Sequence, residues 1–543
     1  MKNKKVLFFV GATIASLVGV SGCKGKTTVG GSNVVQVKSY KGGYGTDFLH
    51  ALAEEFKKVH PEITIVVEEE SALVNSEQVK LEVCQPKKNQ IDLYFTTGMD
   101  VEYSMQKSYA VLRDRNKTLL EPLDDVFNSK AIGFNGEESE TIASRMFDGY
   151  KDVFTYYGSV DKWNGNMYTL PWADSSTGLF MNQSVLDKYG LQAPLTSDEL
   201  TTVVQAIATQ GASEDIYPFS WAGANAVGYW EYLYEVWFAQ YSGQENFKNF
   251  MNCNPNGEGK IKEEGYKVYE DPGILKALEA MYPILNLNYS PNGSVSMQHI
   301  EAQTNFIKGK TAFMCDGDWV LNEMKENYFE QGKNITMLRT PILSSIGTEI
   351  GLTDGQLHTL VEMIDAHKSN EEIKATLTML DDAKINRVVT ARSMHGSIGS
   401  GHGLLIPSYA DAKDAAKLFL RFMYSNDGCR IFRNNAYSNL PLAYTPDPSD
   451  TNTPFQQSLD KVHDYEKPIV ITSSAPYNNV RNIAQIFMFN YSAWVHPRTF
   501  LDIMQNKYSG GEPQLTPEYM FNKEKEFVKS NWSKYMTNIT YLW

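Results

Sequence analysis

Apolar positions recur along this chain at two spacings, and their alternation predicts strands interleaved with helices. Residues 34–40, VVQVKSY, read as a strand and 63–67, ITIVV, as a second. Between them Phe48, Leu49, Leu52 and Phe56 share one helical face, which predicts a helix over 46–59 with Thr46 as its N-cap and Pro61 just past its end. IDLYFTT (91–97) reads as a third strand. Further on, the pattern predicts helices over 197–210 and 272–285 and an aromatic-rich stretch over 229–241. FIKGKTAFMCDGDWVLNEM (306–324) reads as a helix end, a turn at Lys308-Gly309-Lys310, a buried strand, an exposed DGDW loop and a new helix. Residues 354–393 read as helical, followed by the glycine-rich SIGSGHG, a short strand LLIP and the helix AKDAAKLFLRFMYS. Strands alternating with amphipathic helices imply an α/β fold with mostly parallel sheets, whose ligands sit beyond the strands' carboxyl ends. The loops 42–45 and 98–100 are then candidate ligand loops.

The first residues break this pattern. Lys2, Lys4 and Lys5 precede an apolar stretch (6–18) too short to span a bilayer, and Val20-Ser21-Gly22-Cys23 follows. This is the layout of a lipoprotein export signal: 1–22 is removed and Cys23 carries the lipid, so the body is anchored and not spanning. The next ten residues, KGKTTVGGSN, form a flexible tether of about 18 Å root-mean-square reach.

Composition then narrows the partners. The 521 residues left after cleavage suffice for two large lobes. Net charge is −14, and loss of the three leader lysines takes it to −17, which disfavours nucleic acid and anionic lipid surfaces. Cys84, Cys253, Cys315 and Cys429 form no CxxC pair, so zinc-ribbon and thioredoxin-like readings fail, while buried thiols and disulfides both stay open.

Catalytic motifs fail at named positions. HExxH and GxSxG are absent, and Gly309-Lys310-Thr311 imitates a phosphate loop but has Thr304 where the first glycine belongs. SIGSGHG precedes a strand, whereas a dinucleotide fingerprint follows one. Asp316 and Asp318 offer an acid and nucleophile for glycoside hydrolysis, but two carboxylates in one loop seldom flank a bond. No catalytic residue, cofactor or metal is expected. Tryptophan is more informative, because an indole face suits the C–H face of a pyranose while carboxylates and amides take its hydroxyls. Trp172, Trp221, Trp230 and Trp319 lie in or beside loops, Trp172 near Asp174 and Trp319 next to Asp318. Burial in a core is the competing reading for each.

With these residues in view, the chain resembles the lipid-anchored solute-binding proteins of carbohydrate ABC importers, the group that includes maltose-binding protein. YKGGYGTDFLHALAEEFKKVHPEITI is similar to the family's first βαβ unit and YTLPWADSSTGLFMNQSVLDKYGL to its first interlobe crossing. FIKGKTAFMCDGDWVLNEM is similar to its KGK and GDW signature, and SGHGLLIPSYADAKDAAKLFLRFMYSNDG to a further segment. The resemblance implies a two-lobed, periplasmic-binding-protein-like (type II) fold with each lobe discontinuous in sequence, 34–172 with 317–404 and 173–316 with 405–543. Crossings are expected near 171–175, 315–318 and 404–408. It further implies a monomeric, non-catalytic receptor that closes on a sugar and delivers it to permease subunits. The expected ligand contacts are Tyr44, Asp100, Trp172, Asp174, Trp221, Trp230, Asp318, Trp319 and His402, with Tyr44 and His402 on the rim. A surface glycoside hydrolase, a receptor for another solute and an adhesin are the alternatives.

Overall fold

The computed structural model describes residues 32–97, 119–150, 167–448, 450, 452–464, 468–471, 497–504 and 515–538. Cys23, its tether and the loop carrying Asp100 lie outside the described residues. In chain order the strands are β1 (Val34–Tyr40), β2 (Thr64–Glu70), β3 (Leu93–Phe95), β4 (Lys130–Gly133), β5 (Gly136–Thr141), β6 (Leu170–Pro171) and β7 (Ser176–Asn182). They continue with β8 (Tyr217–Ser220), β9 (Thr311–Gly317), β10 (Ile335–Met337), β11 (Met394–Ser397), β12 (Gly403–Leu405) and β13 (Ile469–Ile471).

Two sheets organise two lobes. The first runs β2-β1-β3-β12-β6 and the second β13-β11-β7-β9-β8, with β10 beside the far half of β7. The opening unit forms as the pattern predicts: β1 and β2 are parallel, and the helix Asp47–Val59 buries Phe48, Leu49, Leu52 and Phe56 against the first core. Each such side chain contributes about 1.5–3 kcal/mol by leaving water. Thr46 does not cap this helix; its hydroxyl donates to Glu69 Oε1 at 2.7 Å instead. The helix Ser197–Gln210 is bounded as expected, its N-terminus closed by a reciprocal Thr196–Glu199 capping box.

The sheets are mixed and not mostly parallel. β12 is antiparallel to both β3 and β6, and β7 is antiparallel to β9, β10 and β11. Crossing between lobes causes this. A chain leaving β6 enters the second sheet at the end where β9 finishes (Thr177 opposite Gly317), so β7 must run against β9. β11 returns to the same end, with Ser397 opposite Ser176, and β12 then starts the other sheet.

The chain passes between the sheets at 172–175, at 398–402, and between Leu442 and the helix Pro454–Val462. Residues 315–318 do not cross: β9 ends there, and the following helix Val320–Gly332 packs on the second lobe. Nor do 404–408, which begin with β12 inside the first sheet. The lobe allotment changes accordingly. Residues 317–397 belong with the second sheet, while β12 and the helices Lys413–Met423 and Asn426–Ala436 complete the first lobe. No disulfide joins the four described cysteines; Cys253, Cys315 and Cys429 are buried and Cys84 is exposed.

Candidate functional site

The junction between the sheets gathers the carboxyl ends of β3, β6, β9 and β11, and the side chains there are aromatic and acidic. Tyr44, from the loop after β1, lies 5.4 Å from the Trp172 ring, 5.4 Å from His402 and 6.2 Å from Trp319, edge to face in each case. Trp172 and His402 meet at 5.1 Å. Each ring is fixed from behind. Trp172 stacks on Phe48 at 5.6 Å and donates its indole N–H to Thr96 O at 3.0 Å, while His402 Nδ1 lies 2.9 Å from the Ser175 hydroxyl. Ser175 itself takes the left-handed conformation (φ 54°), unusual for a residue with a side chain, in the first crossing.

Trp319 is held by its strand. Gly317, at the end of β9, lies under the indole, and a Cβ there would sit 2.1 Å from the ring. The DGDW segment is accordingly buried and not the exposed loop its polarity suggests: Asp316, Asp318 and Trp319 are at most 7% exposed.

Asp318 is the acidic centre of the cluster. It accepts hydrogen bonds from the Tyr44 hydroxyl and, at 2.5 Å, from the Ser438 hydroxyl, and its own N–H donates to Ser176 O at 3.0 Å. Burial, with the nearby charge of Asp174, pushes its carboxyl up to about 7. Asp174 behaves oppositely. Burial pushes it up too, but His463, His395 and the Ser176 hydroxyl outweigh that and hold it at about 2. It also accepts from the Tyr150 hydroxyl at 2.7 Å. Burial pushes the His402 ring down to about 4, so it is neutral at pH 7.

The structure thus brings together Tyr44, Trp172, Asp318, Trp319 and His402, with Asp174 adjoining. Tyr44 is 2% exposed and sits at the centre of the cluster, not on its rim. Trp221 and Trp230 are elsewhere: both belong to the second lobe's core, Trp230 packing on Phe219 at 4.9 Å. Their neighbour Tyr229 reaches the junction instead, 6.4 Å from Trp319 and 5.0 Å from His299. Tyr150, Ser438 and His463 were not legible as site residues, because each is an isolated polar or aromatic position brought in by a long-range contact, and nothing local marks Tyr229 as the member of its aromatic-rich stretch that reaches the junction. A cavity of about 570 Å³ lies beside the junction, walled by Arg145, Phe147, Tyr444, Asp460 and His463.

Residues 42–428 match the family described as bacterial extracellular solute-binding protein. The chain belongs to that family. Several solved structures share the solute-binding protein fold at low identity. One, from work on xylan utilization by Caldanaerobius polysaccharolyticus, has a TM-score of 0.56 at 14% identity, covering 91% of this chain and all of the other. The bacterial solute receptor AcbH, described as preferring β-D-galactopyranose, gives 0.55 at 13% identity over 92% and 100%. Maltose-bound MalE3 of T. maritima gives 0.52 at 16% identity over 92% and 99%. A search of curated proteins finds no match. For a solute-binding protein, a site at the lobe junction is where closure can enclose a ligand. Among the described residues no helix is long and apolar enough to cross a membrane.

Proposed function

We propose that this solute-binding protein captures a mono- or oligosaccharide between its lobes and delivers it to the permease subunits of an ABC importer, without catalysis and as a monomer. The observation that carries the reading is the junction cluster itself: two indoles, a phenol, a neutral imidazole and a carboxylate at the seam of two sheets. Aromatic faces take the apolar side of a pyranose, and Asp318, Asp174 and His402 take its hydroxyls. Trp319 and Asp318, just past β9 of the second sheet, meet Tyr44 of the first lobe, so a sugar enters between them when the lobes part. The sugar ligands named for AcbH and MalE3 support the same class. Cys23 is the lipid attachment point that keeps the body at the outer face of the cell membrane, or on the periplasmic side in a double-membrane cell, and Asp100, which follows β3 in sequence, is a further acceptor for the sugar's hydroxyls.

A thermal-shift screen of residues 24–543 against mono- and oligosaccharides tests the reading, with reducing-end release assayed in parallel. Ligand at ~100 times Kd adds ~2.7 kcal/mol to stability. A rise in Tm without turnover is the expected result. No rise for any sugar would remove the carbohydrate assignment, and sugar release would replace the receptor by a hydrolase. Trp319→Ala, which deletes one stacking face, is expected to weaken the best ligand roughly 2- to 10-fold, in line with ~0.5–1.5 kcal/mol for an aromatic contact.

A further inference from the structure

Three metal-ligating groups from distant parts of the chain meet beside the sugar-facing cluster. Asp174 lies in the first crossing, His395 on β11 just before the second, and His463 directly after the helix Pro454–Val462. One ligand atom from each lies within 4.8 Å of the others. Asp174 Oδ2 is 2.8 Å from His463 Nε2, and the two imidazoles meet edge to face with centroids 4.4 Å apart. Phe147 stacks flat on His463 at 4.7 Å and fixes its plane.

His395 supplies a second, independent observation. The residue is 2% exposed, and among the described residues neither its Nδ1 nor its Nε2 has a hydrogen-bond partner; His463 Nδ1 has none either. An unpaired buried polar atom costs about 1–3 kcal/mol, so a ring with two such nitrogens calls for a further partner. Nothing in the sugar-binding reading uses it.

We propose that Asp174, His395 and His463 hold one divalent transition-metal ion of the zinc type. Two imidazoles and one carboxylate are the donor set such ions select, whereas calcium and magnesium prefer shells of oxygen. Tetrahedral coordination at roughly 2.0–2.2 Å places ligand atoms about 3.3 Å apart, a spacing these side chains reach with small shifts. The fourth position falls to the Ser176 hydroxyl, whose oxygen is 3.3 Å from His463 Nε2, or to water. The ion ties the strands at two crossings to the segment after the third. Metal-bound imidazoles usually donate their other nitrogen to a buttressing acceptor; without one, affinity falls about 10–100-fold below that of a fully supported zinc site.

The test is a Co²⁺ titration of the full mature chain after chelator dialysis, followed by displacement with Zn²⁺. A tetrahedral ligand-field absorption that saturates at one equivalent, bleaches with Zn²⁺ and disappears in His395→Ala is the expected result. Should His395→Ala not fold by circular dichroism, His463→Gln, whose side chain is 10% exposed, serves in its place. An absorption that persists in the folded variant would overturn the site. So would no absorption in the wild type, or a thiolate-to-cobalt band removed by Cys84→Ser, which would put the metal on cysteine.

Discussion

Asp318 and Asp174 are two buried carboxylates of one junction with opposite tendencies, and the difference is set by what faces each. Asp318 has hydroxyl and backbone partners but no cation, so burial, helped by the charge of Asp174, dominates and its pKa rises to about 7. In the unfolded chain it would ionise near ~4. The folded state therefore binds the extra proton between those values. Its stabilising contribution is complete below about pH 4 and is lost as pH rises through about 7. Asp318→Asn keeps the shape and removes the titration. Urea midpoints from pH 5 to 8 are expected to fall less steeply with pH in the variant than in the wild type; parallel curves would show that Asp318 does not carry the raised pKa.

At the scale of elements, Gly317 shows how a strand end positions an indole at the lobe junction. The Trp319 indole folds back over β9 at a distance that leaves no room for a methyl group. Gly317→Ala is expected to cost about 1–3 kcal/mol by overpacking and to displace the indole, lowering sugar affinity together with Tm. Thermal melting and calorimetric titration of one preparation would check both; a lower Tm with unchanged affinity would detach Trp319 from the ligand. Elements of this local kind are the ones the sequence makes legible. The face of the helix Asp47–Val59 and the capping box of Ser197–Gln210 are written within one or two turns. The burial of DGDW was not, since acidic residues read as solvated until Tyr44 and Ser438, 274 and 120 residues away in sequence, are seen to satisfy Asp318. Trp221 and Trp230 lie in the second core, the competing reading that tryptophan's usual burial kept open and that their loop-like surroundings could not decide. Lobe membership of 317–397 and of the helices after β12 depends on which strand neighbours which, a choice that hydrophobic period alone does not make.

For the whole molecule, function depends on how much free energy separates the closed arrangement from an open one, and the polar contacts that bridge the lobes are identifiable. The helix Val320–Gly332 of the second lobe faces the loop and helix that follow β1 in the first. Asn322 donates its amide to Gly43 O at 2.5 Å, and Lys325 pairs with Asp47 at 2.8 Å. The two contacts differ in value. Asp47 is 66% exposed at its side chain, so that pair is worth at most about 1 kcal/mol and is screened by salt. Asn322 is 7% exposed and its hydrogen bond is shielded from water, worth about 1 kcal/mol, with a further penalty if Gly43 O is left unpaired. Because both exist only when the lobes are together, removing them lowers the closed population and leaves the aromatic and acidic side chains of the junction in place. Apparent affinity falls by the lost fraction of the competent state. Asn322→Ala is therefore expected to weaken sugar binding roughly fivefold or more, and Lys325→Ala by less than that, with the Lys325 effect fading at high salt. Small-angle scattering distinguishes this from damage to the site: at saturating ligand both variants should reach the compact wild-type dimensions, and a variant that binds sugar without compacting would show that these contacts do not report closure.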